Sequence, residues 1–561
     1  MNSTEVDIFT QEIIKNSLVA IGEEMFVALK RTSMSPIIYE VLDFGIGITD
    51  SKARLISQGS GIPGFIGTLD GAIADTIEKY NDDINPGDIF ITNIPYSGGG
   101  THLSDVTMCK PVFYDKKIIC WTACKAHWTE VGGMDPGSFT TRSTEIYQEG
   151  IQFPLIKLFN SGEINQELVE LISGNVRLPE MTVGDLWACA SALKVGEKRF
   201  LTVIDKYGKE ETIKSIDALL DHSEMIVRAK LDELPQGIYE ASDVIDNDGL
   251  NNGPFNISVK VTIKSDQFIV DFTGSSAVAP GPINCSRSAL NSAVREVFMG
   301  VVDPGIPATE GCFRVLQVIC PENTLLTANR PAPTSAYFES MVTAADVIRK
   351  SLASVMPGKL IAGQMGSVCS FVMSGINQYN NEDFILVQPL VGGWGAGYNK
   401  DGERGQFCTG NGETANVPVE IQESRYGVHV ESYRFHNLKG GAGHYRGGNG
   451  VLLEYRIISE GVEITTFFGR GKTPPWGIND GNPGTCNFAE IITKDKNVKT
   501  VTMASRVALQ KHNLLKIYTA TGGGWGDPSN RSSESIEKDL RDGYINEDQA
   551  ISDYGYLSKR N

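Results

Sequence analysis

His102 and Asp105 stand three residues apart behind a run of three glycines, in the stretch GGGTHLSD. A strand-like apolar run, Lys117 to Cys124, then leads to His127 and Glu130, and Gly132, Gly133 and Gly137 follow. Imidazole and carboxylate are the ligand types that hold divalent Zn, Mn or Fe. A His-x-x-Asp pair on a turn and a second His delivered by the next strand can converge on one ion. The glycines let backbone approach that ion or a substrate closely. The same residues suit a plainer role as polar turns at strand ends, because His-x-x-Asp is far less specific than His-Glu-x-x-His. Asp43, between Leu42 and Phe44, starts an earlier strand and is either a partnered structural carboxylate or a further ligand, since a buried carboxylate without a partner is costly.

The elements that must position these groups follow from periodicity. Val6 to Thr32 reads as a helix, with Ile8, Ile13, Ile14, Leu18, Ile21, Met25, Phe26 and Leu29 recurring near a 3.6 period. Its Lys30 and Arg31 sit where a helix C-terminus favours cations. LDFGIGITD and ARLISQG are short strands joined by a turn at Asp50 to Lys52, Leu69 to Tyr80 is a second helix, and the strand IFITN delivers the chain to the glycine run. The central motif therefore lies in loops at strand ends, where functional residues concentrate. Helices over Gln166 to Ile172, Asp185 to Tyr207 and Asp217 to Leu231 complete an α/β N-terminal region, and His222 on the last of them reads as a surface residue. From Pro235 a meander of alternating strands begins, followed by helices over Gly281 to Met299 and Tyr337 to Ser354. Beyond Leu360 short strands alternate with glycine clusters such as GGWGAGYNKDG and TATGGGWGDP. The expected fold class is mixed α/β, with a β-rich, glycine-rich C-terminal part. Region boundaries are expected at 1–234, 235–360, 361–528 and 529–561, the last a charged helical tail that reads as a docking or surface appendage.

A chain of 561 residues exceeds a single core and predicts several domains. The formal charge of −18 weighs against nucleic acid or an anionic membrane as partner. The N-terminus carries acidic residues and no positively flanked apolar core, and no apolar run of about 18 residues occurs, so neither a secretory signal nor a membrane helix is expected. The 10 cysteines are scattered, without the spacing of a disulfide scaffold or zinc ribbon, and read as small core residues of a reducing, cytoplasmic compartment.

Longer matches carry more than spacing does. EIIKNSLVAIGEEM, RTSMSP, PGDIFITNIPYSGGGTHLSDVTMCKPVF, AHWTEVGGMDPGS, SGNVRLPEMTVGDL, GGWGAG, YRGGNG and GGGWGDP run in order through nearly the whole chain. On these the chain resembles the hydantoinase B/oxoprolinase family, which includes B-type subunits of ATP-dependent hydantoinases and lactamases and subunits of acetone and acetophenone carboxylases. The resemblance implies a divalent metal site (Zn or Mn) at Asp43, His102, Asp105 and His127. It also implies that ATP and Mg are bound by a separate A-type, actin-like ATPase partner in an A2B2 heterotetramer. In that scheme the partner phosphorylates the amide oxygen of a cyclic amide (a hydantoin, 5-oxoproline or similar lactam), and this chain supplies a water whose pKa the metal lowers. Glu130 is the carboxylate named as proton acceptor, with a structural salt bridge as its alternative. Two departures stand out: Trp128 where many relatives have a second His, and Gly100 where carboxylase relatives have an extra His. The second weighs against the alternative function, a carboxylase subunit. No G-x-x-x-x-G-K-[ST] nucleotide loop is present; FGRGKTPP is the nearest approach and runs into prolines.

Overall fold

The computed structural model describes residues 7–556. Seven strands near the N-terminus form one sheet: β1 (Phe44–Asp50), β2 (Leu55–Gly61), β3 (Ile89–Thr92), β4 (Asp105–Tyr114), β5 (Lys117–His127), β6 (Ile156–Asn160) and β7 (Glu163–Ile164). Their order is β2-β1-β5-β4-β3-β6-β7, and every pairing is antiparallel. The helices Ile8–Thr32 and Pro179–Tyr207 pack together against one face, and Leu69–Tyr80 packs against the other. Val6 lies outside the described residues; Asp7 caps the first helix by accepting from the Thr10 amide. Arg31 and His222 are exposed, as their surface roles require.

The central hairpin sets the geometry of the site. Asp115 and Lys116 join β4 to β5 in a two-residue turn with φ of 49° and 61°, the positive values that match the right-handed twist of paired strands. The register runs from Tyr114 opposite Lys117 to Asp105 opposite His127, with one irregularity at Val112/Phe113. Both faces of β5 are covered: Cys120, Cys124 and Ala126 join the main core, while Trp121 and Ala123 join a smaller cluster with Leu69, Ile73 and Phe90. Burying large apolar side chains contributes about 1.5–3 kcal/mol each. A one-residue slip would exchange the two faces, so this packing also fixes the face that His127 presents.

The meander from Gly237 forms a four-stranded sheet in which Phe268–Asp271 and Leu316–Ile319 pair in parallel. Two further antiparallel sheets, of four and five strands, lie between Ser370 and Tyr518. One hydrophobic cluster extends from Ile14 to Ala520 and unites these regions. The helix expected from Gly281 begins instead at Arg287, because Ser286 caps it by accepting from the Ala289 amide. The preceding loop is held by the Asn284 amide, which donates to the Ala279, Gly281 and Pro333 carbonyls. The tail forms the helices Ser533–Arg541 and Glu547–Tyr554; residues 557–561 lie outside the described residues. It docks on this chain's own body, through Asp539, bound by Arg446, and Arg531, bound to Asp401. Nine of the ten cysteines are buried, Cys486 is partly so, and all are free thiols.

Candidate metal centre

Three side chains converge where β4 begins and β5 ends. Asp105 Oδ1 lies 2.9 Å from His102 Nε2 and 3.1 Å from His127 Nδ1, and the two ring nitrogens are 3.3 Å apart. All three residues are buried. Two ligand atoms about 2.1 Å from one ion, at octahedral to tetrahedral angles, stand about 3.0–3.4 Å from each other, so the triangle has the dimensions of one face of a coordination shell.

The chemistry of the donor set also suits a cation. His102 Nδ1 contacts the Ser335 carbonyl at 3.0 Å, and a carbonyl only accepts, so the ring proton sits on Nδ1 and Nε2 carries a lone pair. That lone pair faces a carboxylate oxygen and a second ring nitrogen, an arrangement that a divalent ion among them satisfies. His127 Nε2 is buried with no hydrogen-bond partner among the described residues. The residues present fit a small divalent cation.

Residues remote in sequence hold the triad in place. Asp105 Oδ2 accepts from Thr101 Oγ1 at 2.7 Å and from the Tyr337 hydroxyl at 2.9 Å. Although burial opposes it, the adjoining imidazoles of His102 and His127 hold the Asp105 carboxyl well below the usual carboxylate range. Burial lowers the His127 pKa, against the pull of Asp105, which favours the neutral, ligating imidazole. Glu149 accepts from the amides of Thr334 at 2.9 Å and Ser335 at 3.0 Å, fixing the turn that presents the Ser335 carbonyl to His102. Burial pushes the Glu149 carboxyl up to about 7.

Asp43 precedes β1, and its carbonyl accepts from the His127 amide at 3.0 Å. Its carboxyl lines the same cavity but falls outside the close triangle of three. Burial, and then the Asp105 charge, raise its pKa well above the normal range. Glu130 is not brought to the cavity. Its carboxylate accepts from the amides of Gly132 at 2.7 Å and Gly137 at 2.9 Å and pairs with Arg177 at 2.8 Å. These bonds pin the loop after β5, the structural alternative for this residue. Trp128 alternates away from His127 and packs in the main core, edge to face with Phe153.

The cavity beside the triad measures about 60 Å³. Ile62, Phe65, Phe139 and Phe338 wall it on the triad's side, and Val368, Ser370, Val387 and Pro389 come from the glycine-rich C-terminal part. It is small against the roughly 150 Å³ that holds a benzene ring, so binding of any ring must widen it. Larger clefts of about 430–450 Å³ open elsewhere, and none of those four borders the triad. Gly100 shapes the loop that carries His102: a Cβ there would lie 1.7 Å from the Ile94 carbonyl oxygen. No other residue fits this loop conformation.

The chain belongs to the hydantoinase B/oxoprolinase family, whose sequence pattern matches residues 7–528. It is 30% identical over 98% of its length to the B-type component of a provisionally named D-/L-hydantoinase from Pseudomonas sp. strain NS671, covering 95% of that protein. Its structure is similar to that of an ATP-dependent caprolactamase from Pseudomonas jessenii, with a TM-score of 0.92 and 27% identity over 99% of this chain and 97% of that one. The same fold occurs in a nucleotide-free acetone carboxylase, with a TM-score of 0.92 at 19% identity, over 99% of this chain and 80% of that one. Among the described residues no helix is long and apolar enough to cross a membrane.

Thr101 lies within the glycine motif and is visible in sequence as a neighbour of His102. Tyr337, Ser335, Glu149 and Ser370 carry no sequence signal, since nothing local marks their approach to the triad.

Proposed function

We propose that this chain is the B-type subunit of an ATP-dependent cyclic amide hydrolase, with a divalent Zn or Mn ion held by His102, Asp105 and His127 and with Asp43 beside them. The observation that carries this function is the buried triangle of ligand atoms, 2.9–3.3 Å on a side, at the wall of a mostly apolar cavity. An ion bound there supplies polarisation of a carbonyl and a water of lowered pKa. The chain's own residues do the rest. Ser335 and Asp105 orient the two imidazoles, Tyr337 and Thr101 orient Asp105, and Phe139 and Phe338 keep bulk water from the reacting amide.

Activation of the amide by ATP belongs to a separate partner subunit, as the names of the relatives, themselves components of larger enzymes, and the missing nucleotide loop support; an A-type partner in an A2B2 assembly rests on the family resemblance. Gly100 favours the hydrolase over a carboxylase, because the loop as folded has no room for a further imidazole at that position. Glu130 contributes to the fold and not to proton transfer.

His127→Ala tests the assignment in the complex with the partner. Ring-opened product per ADP should fall together with bound metal, while substrate-dependent ATP consumption persists in part. The chain alone should not hydrolyse ATP. An unchanged product-to-ADP ratio at full metal occupancy would refute the site.

A further inference from the structure

We propose that the cleft lined by Trp394 and Trp476, apart from the triad, is a second binding site, taking a flat ring whose N–H donates to the Gln364 side-chain oxygen. Two observations carry it.

The first is how the cleft is built. It measures about 430 Å³, ample against the roughly 150 Å³ that holds a benzene ring. Residues 362–365 run between the two tryptophan-bearing segments. The Ala362 amide donates to the Ala396 carbonyl and the Met365 amide to the Gly393 carbonyl, both at 2.9 Å, while the Gly363 amide donates to the Trp476 carbonyl at 2.8 Å. A Cβ on Gly395 would lie 2.0 Å from the Ala362 carbonyl oxygen, and one on Gly363 would lie 2.6 Å from the Trp476 nitrogen. The motif GGWGAG thus serves to present Trp394. Both indoles are half-buried, and both indole N–H groups are already used: Trp394 Nε1 donates to the Phe407 carbonyl at 2.7 Å and Trp476 Nε1 to Asp346 Oδ2 at 2.9 Å. What they offer a ligand is ring surface, which favours a flat partner.

The second is an unused acceptor. Gln364 lines the cleft and is 2% exposed; its Nε2 donates to Thr409 Oγ1 at 3.3 Å, and its Oε1 has no hydrogen-bond partner among the described residues. A buried acceptor left unpaired is costly, and an N–H from a bound ring removes that cost. A cation is disfavoured as the donor, since Asp346 is paired with Arg470 and Arg349 with Glu296, each at 2.7 Å, and Lys359 and Lys400 line the cleft as exposed positive groups.

A cyclic amide and a nucleobase share this chemistry. The helix Tyr337–Leu352 gives Asp346 and Arg349 to the cleft and Met341 to the triad's cavity, and the neighbours Thr409 and Gly410 line one and the other. A cyclic amide bound here is therefore a substrate held near the triad, an assignment that rests on the hydrolase function above; the site itself does not.

The test is calorimetry on the full chain without its partner, so that no nucleotide site of the partner contributes. Hydantoin is compared with 1,3-dimethylhydantoin, and adenosine with N6,N6-dimethyladenosine; each second compound keeps the ring and loses the N–H. At least one parent ring should bind once per chain, with its methylated form weaker by about 10-fold or more. Gln364→Leu should weaken the parent by a similar factor and leave the methylated form unchanged. Tyr398 is 60% exposed and lines the same cleft, so Tyr398→Ala, which spares the core, should cost about 2–10-fold and locates the ring even where Gln364→Leu does not fold. Hydantoin binding identifies a substrate site and adenosine binding a nucleobase site. No parent binding tighter than about 1 mM overturns the site. Equal affinity for parent and methylated ring overturns the Gln364 contact, and binding that both variants leave intact places the ring outside this cleft and overturns the inference. Ring opening is not read, so the hydrolase function and this site can fail separately.

Discussion

Tyr337→Phe isolates one contact at the centre of the triad. The phenol is buried, and its hydroxyl reaches Asp105 Oδ2 at 2.9 Å, beside the Thr101 hydroxyl at 2.7 Å. Phenylalanine keeps the ring, which packs 5.0 Å from the His102 ring and 5.8 Å from Phe338, so the change removes one oxygen and little packing. A hydrogen bond to a charged acceptor contributes about 1.5–3 kcal/mol, and a factor of ten corresponds to about 1.4 kcal/mol. The expected loss is therefore about 10–100-fold in metal affinity, the range seen when partners that orient metal ligands are removed. The assay is competition with a chromogenic chelator on the purified complex, with thermal unfolding of the metal-free protein measured in parallel. Thr101→Val should act in the same direction. If Tyr337→Phe lowers the melting temperature and leaves metal affinity within about twofold, Tyr337 is a packing residue and the proposed support of Asp105 is wrong.

Two further outcomes follow from buried carboxyls outside the triad. Glu130→Gln should destabilise the fold by about 1–3 kcal/mol, because an amide replaces an acceptor of two backbone N–H groups and Arg177; metal affinity and turnover per folded complex should stay unchanged, and a loss confined to turnover would restore Glu130 to the chemistry. Burial pushes the Glu339 carboxyl up to about 8, against about 4.3 in an unfolded chain. The folded state therefore holds a proton that the unfolded state has released. This contribution to stability is fully present below about pH 4.3 and is lost as pH rises towards 8. Glu339→Gln should flatten that slope in chemical denaturation at pH 5 and pH 8, and an unaltered slope would show that Glu339 is ionised throughout.

The local parts of the site were legible in the sequence because their causes are local. The apolar run from Lys117 marks the strand that leads to His127, while the two-residue turn at Asp115 and Lys116 and the pairing that sets Asp105 opposite His127 come from the structure. The helix Leu69–Tyr80 has the expected bounds, since its apolar spacing and the turn residues that follow it are close together in sequence. Where a side chain decided the outcome, sequence expectation failed: Ser286 and Asn284 moved a helix start from Gly281 to Arg287. Glu130 admitted two readings in sequence, a proton acceptor or a structural salt bridge, and the chain turns after β5 so that its carboxylate binds Gly132, Gly137 and Arg177. The tail, read from its charge as a docking or surface appendage, docks on this chain's own body, where Asp539 pairs with Arg446 and Arg531 with Asp401.

By itself the sequence determined the residue types of the triad, the strands that carry them, the glycine loop and the family. Tertiary structure alone decided which groups complete the site: Tyr337 on Asp105, the Ser335 carbonyl on His102 with Glu149 behind it, and Ser370 across the cavity. Periodicity and turn chemistry act over a few residues, whereas these contacts join segments more than 180 positions apart. Their convergence depends on how one continuous core, from Ile14 to Ala520, packs the C-terminal sheets and the helix Tyr337–Leu352 around the N-terminal sheet. That packing is a property of the whole chain, and no local stretch encodes it.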